Sequence, residues 1–360
     1  MLLLSIIIIN SMIVVAVLIV LFIIASALSF FDEEKNRTLI VTYIVMTIIM
    51  VLTAGLKPIN IDNDSNAYVS YFYYANDDTV ELSFVMISSI LRKIADEPQL
   101  LFIVYALLSI PFKAYALTKI SDLWFLGLAV WLSRYMILHD MTQIRVAVSS
   151  AIFLYSLLFL ESGDKRKYLL CCVAATFFHY SAVIMFPLVF CGNKDLTKRW
   201  LIALYALPVI GYMLSSLNIN FLNLIPIPYV QEKVEIYEAA RDDGFMGMDE
   251  INLFNPMYLL RLALYYLLLW KYEVVKEHCA MLPILLKIFA FAYVAYTMLS
   301  FIPVFAYRIS EFYGITELVL MPLVIYTVKP EWLARCFLIA VFAYITYLDI
   351  FKNELLSLKL

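Results

Sequence analysis

Charged residues are scarce in this sequence, and their scarcity excludes a soluble domain. They make up 15% of the 360 residues, whereas hydrophobic residues make up 64%. An ordinary soluble domain carries about 25% charged residues. Apolar runs of about 18 residues or more recur from one end of the chain to the other, and each is long enough to cross the roughly 30 Å hydrocarbon core as a helix. The sequence therefore predicts a polytopic integral membrane protein.

Glycine and cysteine are also rare, and the few that occur argue against two kinds of structure. Eight glycines and the absence of β-like alternation argue against a β-barrel. The predicted fold class is therefore all-α, with about 10–12 transmembrane helices. The five cysteines show no metal-ligand spacing, so we interpret them as small hydrophobic residues and predict no metal. The net charge of −3 without a basic stripe argues against nucleic acid, and no nucleotide or cofactor motif is present.

The distribution of Lys and Arg predicts which loops lie on each side of the membrane. Segments poor in these residues tend to lie outside, and segments rich in them lie inside. The acidic stretches 57–98 and 218–256 are therefore predicted outer loops of a single membrane domain covering residues 1–360. Within the first stretch, residues 81–94 are too short for a span and predict an amphipathic or re-entrant helix at the interface.

Two basic loops create a conflict that a hairpin would resolve. The loops at 161–167 and 192–199 both carry three Lys or Arg residues, so both are predicted inside. A single crossing by the apolar block 168–191 would place one of them on the wrong side. A re-entrant hairpin that turns near His179 removes the conflict. An ordinary crossing that weakly violates the charge rule is the alternative.

Several polar residues lie in or beside apolar runs on the predicted outer side, where an ionisable group costs a few kcal/mol or more. They form four clusters: Asp62 and Asp64 with Tyr68; His139 with Asp140, Gln143 and Arg145; His179 with Ser181; Arg308 with Glu311. In the second cluster, α-helical spacing would let His139 and Asp140 share a helix face with Gln143. Because all four clusters fall on one side, they predict a functional site rather than scattered structural pairs.

Each cluster also has a purely structural interpretation. Arg308 and Glu311 would form an ion pair that closes a helix end, and Asp140 would cap the helix that begins near Thr142. Arg145 would extend its charged end to the outer interface. His179 would bond a backbone carbonyl where the chain turns.

The chemistry of the clusters suits a phosphorylated lipid. A planar guanidinium binds phosphate or pyrophosphate bidentately, and a lipid pyrophosphate lies at this membrane depth. A nearby carboxylate or histidine can take a proton from a sugar hydroxyl as a general base.

The order of short motifs along the chain resembles a known family. The motifs are D-x-x-x-Y at Asp64 and Tyr68, E-x-x-F at Glu81 and Phe84, Q-x-R followed by Val146 and Ala147 at Gln143 and Arg145, F-H-x-S-A at Phe178 to Ala182, and R-x-x-x-F at Arg308 and Phe312. Together, over roughly residues 40 to 325, they are similar to the EpsG-like/Wzy exopolysaccharide and O-antigen polymerases.

This resemblance implies a glycosyltransferase of the bacterial inner membrane. It would polymerise undecaprenyl-pyrophosphate-linked repeat units at the periplasmic face, with a lipid-linked donor and acceptor, membrane lipid and a chain-length regulator as partners, and without a cofactor. Arg145 and Arg308 would hold the donor pyrophosphate. His179, Glu81 and Glu311 would be the candidates for the base. Substrate-binding residues would come from the remaining polar positions: Asp64, Tyr68, Asp140, Gln143 and Ser181.

Two other functions compete with this interpretation. A transporter or flippase of lipid-linked oligosaccharide would show repeated halves and charges along a through-path, and neither is clear in the sequence. An O-antigen ligase-type transferase would carry its key histidine in the large outer loop, yet 218–256 contains no histidine.

Overall fold

The computed structural model describes residues 10–34, 36–76, 80–217 and 251–357, together with positions 231, 232, 234–236 and 239. Within these residues the regular structure is helical and no strand occurs, so the all-α prediction is confirmed. The chain divides into two compact units, Met1–Phe190 with Glu317–Leu360, and Cys191–Thr316. The predicted outer loop 218–256 lies for the most part outside the described residues, and the assignment of both outer loops to one membrane domain stays a prediction.

The helices are numbered along the chain. The first unit contains α1 Ser11–Leu28, α2 Arg37–Gly55, α3 Ser65–Tyr74, α4 Leu82–Ile94, α5 Gln99–Ile120, α6 Trp124–Val130, α7 Ile144–Glu161 and α8 Lys165–Phe178. The second unit contains α9 Lys198–Ser216, α10 Pro256–Trp270, α11 Tyr272–Val275, α12 Leu282–Met298 and α13 Pro303–Gly314. The first unit is completed by α14 Glu317–Leu320 and α15 Glu331–Tyr347.

Six of the described helices are long and apolar enough to cross a membrane. They are Ser11–Phe31, Arg37–Gly55, Gln99–Ile120, Ile144–Glu161, Lys198–Ser216 and Glu331–Lys352. A seventh span results if α13 and the following Glu317–Thr327 are counted as one broken span. Three apolar helices, Tyr180–Phe190, Pro256–Trp270 and Leu282–Met298, are shorter. The chain is therefore a multi-pass membrane protein.

Hydrogen bonds define two ends of the first unit. At one end, the Gln99 side chain donates to the carbonyl oxygen of Gly55 (2.6 Å), so the end of α2 meets the start of α5. At the other end, the Asp32 carboxylate accepts from the backbone N–H groups of Phe125 and Leu126 (2.7 and 3.2 Å). These N–H groups belong to the first turn of α6, where no intrahelical partner exists. Arg335 of α15 bonds the Ser29 carbonyl at this same end.

The chain reverses direction at His179, as the hairpin prediction requires. The backbone of His179 is extended after α8, and a 3₁₀ helix follows over Tyr180–Phe190. The Tyr168 hydroxyl donates to the carbonyl oxygen of Met185 (2.7 Å), whereas a continuous helix would separate these residues by about 25 Å. Each arm of this hairpin is about 20 Å long, less than the roughly 30 Å hydrocarbon core.

An unusual helix precedes the Arg145 segment. After α6 the chain forms a π-helix over Trp131–Thr142, and the N–H of Gln143 donates to the carbonyl of Leu138, five residues earlier (2.9 Å). Gln143 lies directly after this π-helix, so the α-helical spacing assumed for His139, Asp140 and Gln143 does not apply there.

Candidate functional site

Glu81 joins an arginine and a histidine from two other parts of the first unit. Its Oε2 atom bonds the guanidinium of Arg145. Its Oε1 atom lies 2.8 Å from Nδ1 of His179 and accepts the backbone N–H of Tyr180 at 3.2 Å. Glu81 is buried, whereas the side chains of Arg145 and His179 remain 19% and 13% exposed. Arg145 and His179 therefore shield the carboxylate from solvent, and their own side chains stay partly accessible from outside the protein.

The local fold explains how these residues meet. Glu81 directly precedes α4, Arg145 is the second residue of α7, and His179 is the extended residue at the turn of the hairpin. Helix N-termini carry partial positive charge, so a carboxylate at the start of α4 is favoured. The interaction of Ser149 with the Ala175 carbonyl holds α7 against α8 one turn away from the site.

Aromatic side chains form the wall beneath the arginine. The guanidinium of Arg145 lies 5.6 Å from the ring centre of Tyr68 and 5.9 Å from that of Phe84. Such cation–π contacts contribute about 0.5–2 kcal/mol each, more when desolvated. They hold the guanidinium of Arg145 against this wall, and the alternative that its charged end reaches the outer interface stays a prediction.

The electrostatics of Glu81 follow from this arrangement. Burial alone would raise the pKa of Glu81, but the hydrogen bond with His179 and the positive charge of Arg145 outweigh it and lower the pKa to about 2. Glu81 is therefore a weak base. The structural interpretation of His179 as a partner of a backbone carbonyl is also wrong, because its Nδ1 bonds this carboxylate.

Arg145 retains a donor that the protein does not use. Its Nε atom is buried and has no hydrogen-bond partner among the described residues. An unsatisfied donor of this kind costs about 1–3 kcal/mol or more when charged.

Asp62, a member of the predicted first cluster together with Asp64, has a structural role. Its carboxylate forms a fully buried ion pair with Lys57 and accepts from the Ser65 hydroxyl (2.6 Å) and the Ser65 N–H (2.9 Å) at the start of α3. This network fixes the start of α3, the helix that presents Tyr68. Asp64 is half-buried beside it, and its N–H donates to Asp62.

Asp140 lies in a second buried network rather than at the Glu81 cluster. Its carboxylate bonds Lys113 Nζ (3.0 Å), the Ser109 hydroxyl (2.9 Å) and the Trp131 indole N–H (2.7 Å). The predicted capping role of Asp140 is wrong, since Gln143 occupies the N-cap position of α7. These protein contacts account for the burial of Asp140, so no contact with a substrate is needed to explain it.

The remaining predicted residues are placed as follows. Gln143 and Ser181 are half-buried next to Arg145 and His179 in sequence, and the N–H of Ala182 closes the turn on the His179 carbonyl (3.0 Å). Arg308 and Glu311 belong to α13 of the second unit, where Arg308 is exposed and Glu311 half-buried. Their predicted roles stay predictions.

Two buried lysines were not predicted from the sequence. Lys57 and Lys113 are both fully buried, and each pairs with an aspartate. Lys113 lies within the apolar span α5, where ionisable residues are rare and usually paired. Its position in the sequence was therefore a signal that could have identified it.

Comparison with known proteins identifies one family. The family model described as the EpsG family matches residues 40–355. Neither a curated protein nor a solved structure matches the chain.

Proposed function

Because the chain belongs to the EpsG family, whose members are membrane proteins of the polysaccharide-polymerase type, we propose that it is a membrane glycosyltransferase. Its substrates in this proposal are undecaprenyl-pyrophosphate-linked oligosaccharides, which it polymerises into O-antigen or exopolysaccharide at the periplasmic face of the bacterial inner membrane. The observation that carries the proposal is the Arg145–Glu81–His179 cluster, which combines an anion-binding group with an oriented base.

His179 is the base in this proposal. When Nδ1–H of a neutral imidazole donates to the Glu81 carboxylate, the lone pair for proton abstraction lies on Nε2. Glu81 fixes this tautomer and the ring orientation, as the carboxylate does in other His–carboxylate pairs. Glu81 is thus a positioning residue, and its low pKa argues against its own use as the base.

Arg145 contributes charge at the leaving group. The acceptor hydroxyl attacks the anomeric carbon of the donor sugar while its proton passes to Nε2 of His179. The bond between that carbon and the pyrophosphate oxygen breaks, and its electron pair leaves with the lipid pyrophosphate. Arg145, whose side chain remains 19% exposed, stabilises the negative charge that develops there.

The test uses cells that depend on this chain for their polymer. His179→Gln and Arg145→Lys are expected to leave the protein in the membrane but to yield lipid-linked glycan with a single repeat unit. General-base removal typically costs about 10²–10⁴-fold in rate. The readout is the length distribution of the glycan on a gel, with membrane content measured by immunoblot.

His278→Gln is the matched control, because His278 is an exposed histidine of the second unit. It is expected to give normal chain lengths. Long chains in both site variants would refute the assignment of the site. Accumulation of unpolymerised units on the cytoplasmic side would instead favour a flippase.

A further inference from the structure

Helix α4 carries a continuous apolar stripe on its exposed side. Leu82, Met86, Ile90 and Ile94 recur at every fourth position, which places them along one side of the helix. They are 48%, 49%, 56% and 73% exposed. The helix has 13 residues, about 20 Å, and is therefore too short to cross the roughly 30 Å hydrocarbon core.

The protein-facing side of α4 has the opposite character. Ser83 and Ser88 are buried there together with Phe84 and Leu91. Phe84 packs against the rings of Tyr68 and Tyr105, with ring centres 5.9 and 6.0 Å apart. Serines and apolar side chains together thus face the protein, whereas the exposed side carries large apolar groups, unlike the polar exposed side of a surface helix in water.

Helix α4 lies near the end of the span α2 and the start of the span α5. Residues 95–98 link it to Gln99, the first residue of the span α5, and Gln99 is bonded to the last residue of the span α2. Its last turn carries the exposed Arg92 and Lys93, and Arg92 also donates to the carbonyl of Tyr73 (3.0 Å). Basic residues at this level complement phospholipid phosphates.

We propose that the stripe Leu82–Met86–Ile90–Ile94 docks on the phospholipid leaflet at this end of the first unit. The helix lies along the interface, with the stripe in the upper acyl region and Arg92 and Lys93 at the phosphates. The exposure of the stripe supports lipid as the occupant, because Leu82, Met86 and Ile90 are exposed to nearly the same degree as the exposed side chains of the span α2: Val45 47%, Ile48 53% and Leu52 49%.

This docking fixes the depth of the candidate site. Glu81 directly precedes Leu82, so an interfacial α4 holds the Glu81–Arg145–His179 cluster at the level of the lipid headgroups. The next consequence rests on the proposed function. The pyrophosphate of a lipid-linked substrate lies at the headgroup level, so the cluster and the pyrophosphate lie at the same depth.

The experiment measures depth in the full-length protein, reconstituted in vesicles of zwitterionic and anionic phospholipid. A fluorescent amino acid is placed at Met86 or Ile94, and its emission is measured with lipids brominated near the headgroup or near the chain end. Both positions are expected to be quenched more by the shallow bromines and to a similar degree, because both lie at one depth. The measurement needs no substrate, so its failure is distinct from failure of the proposed function.

Two control positions calibrate the result. The probe at Ile48, in the middle of α2, is expected to respond more to the deep bromines, and the probe at the exposed loop residue Glu33 to neither. If the probe at Met86 is quenched as little as the probe at Glu33, the proposal is overturned, and the stripe faces water or a protein partner. Deep quenching, or clearly different depths at Met86 and Ile94, would overturn it in favour of a helix that dips into the membrane.

Discussion

Glu81 is the residue on which the site depends, because its two oxygens serve different partners. Oε2 bonds Arg145 and Oε1 bonds His179, so a change at Glu81 affects both the proposed anion-binding group and the proposed base. A purely structural carboxylate would affect stability alone. The pH dependence of stability and of activity therefore separates the two roles.

The lowered pKa of Glu81 predicts a pH-dependent contribution to stability. A carboxyl group whose pKa falls from 4.5 to about 2 on folding stabilises the folded state above pH 4.5, and this stabilisation is lost as the pH falls toward 2. The full contribution is on the order of 3 kcal/mol. The stability difference between the wild type and Glu81→Gln, measured by unfolding in detergent, should therefore shrink between pH 5 and pH 2.

The control for this prediction is Glu33→Gln, at an exposed loop position. It is expected to show little difference from the wild type at any pH. A wild-type advantage over Glu81→Gln that stays constant down to pH 2 would contradict the assigned electrostatics. In vesicles, Glu81→Gln should also alter the pH profile of polymerisation, which a structural role alone would leave unchanged.

The buried pair of Lys113 and Asp140 predicts a strong effect on stability. Lys113→Met leaves the carboxylate without its cation, and breaking a buried pair in this way costs about 3–5 kcal/mol. The double variant Lys113→Met with Asp140→Asn removes the charge and should recover much of the loss. Melting temperatures in detergent test this directly. An unchanged melting temperature in Lys113→Met would show that the pair is not a structural element.

At the residue scale, the sequence indicated which side chains are unusual but not how they pair. Arg145 and His179 stand out because ionisable groups are expensive at membrane depth. Their partner Glu81 lies 64 and 98 residues away along the chain, and local patterns carry no information on contacts over that separation. Asp140 shows the same limit, since its partner Lys113 belongs to another helix.

At the scale of elements, charge distribution predicted the chain reversal, whereas helix type could not be predicted. The two basic loops favoured a turn near His179 over an ordinary crossing, and the Tyr168–Met185 hydrogen bond shows that the chain turns there. The 3₁₀ arm over Tyr180–Phe190 and the π-helix over Trp131–Thr142 depend on tertiary packing, and hydrophobic periodicity does not distinguish them from α-helices.

The hairpin predicts the same membrane side for the segments that flank it. In a background without native cysteines, Ser162→Cys and Lys194→Cys should react with a membrane-impermeant thiol reagent from the cytoplasmic side. Asn76→Cys, in the predicted outer loop, should react from the periplasmic side. Reaction of positions 162 and 194 from opposite sides would show an ordinary crossing in place of the hairpin.

At the scale of the whole molecule, composition alone predicted the fold class. A chain with 64% hydrophobic residues must satisfy its backbone hydrogen bonds internally in lipid, and helices do this within one segment. The order of short motifs predicted the family, and the family match over residues 40–355 confirms it. The division into two compact units was not predictable, because no linker or change in composition marks Phe190 or Glu317.

The chain reversal at His179 also constrains how the protein is made. Neither arm of the hairpin, with 14 and 11 residues, reaches the roughly 17–25 residues that a single inserted helix needs. In the predicted re-entrant arrangement, both arms would enter the membrane together, after Phe190 has been synthesised. His179 would then reach its place opposite Glu81, and the candidate site would form only after synthesis has passed the middle of the chain.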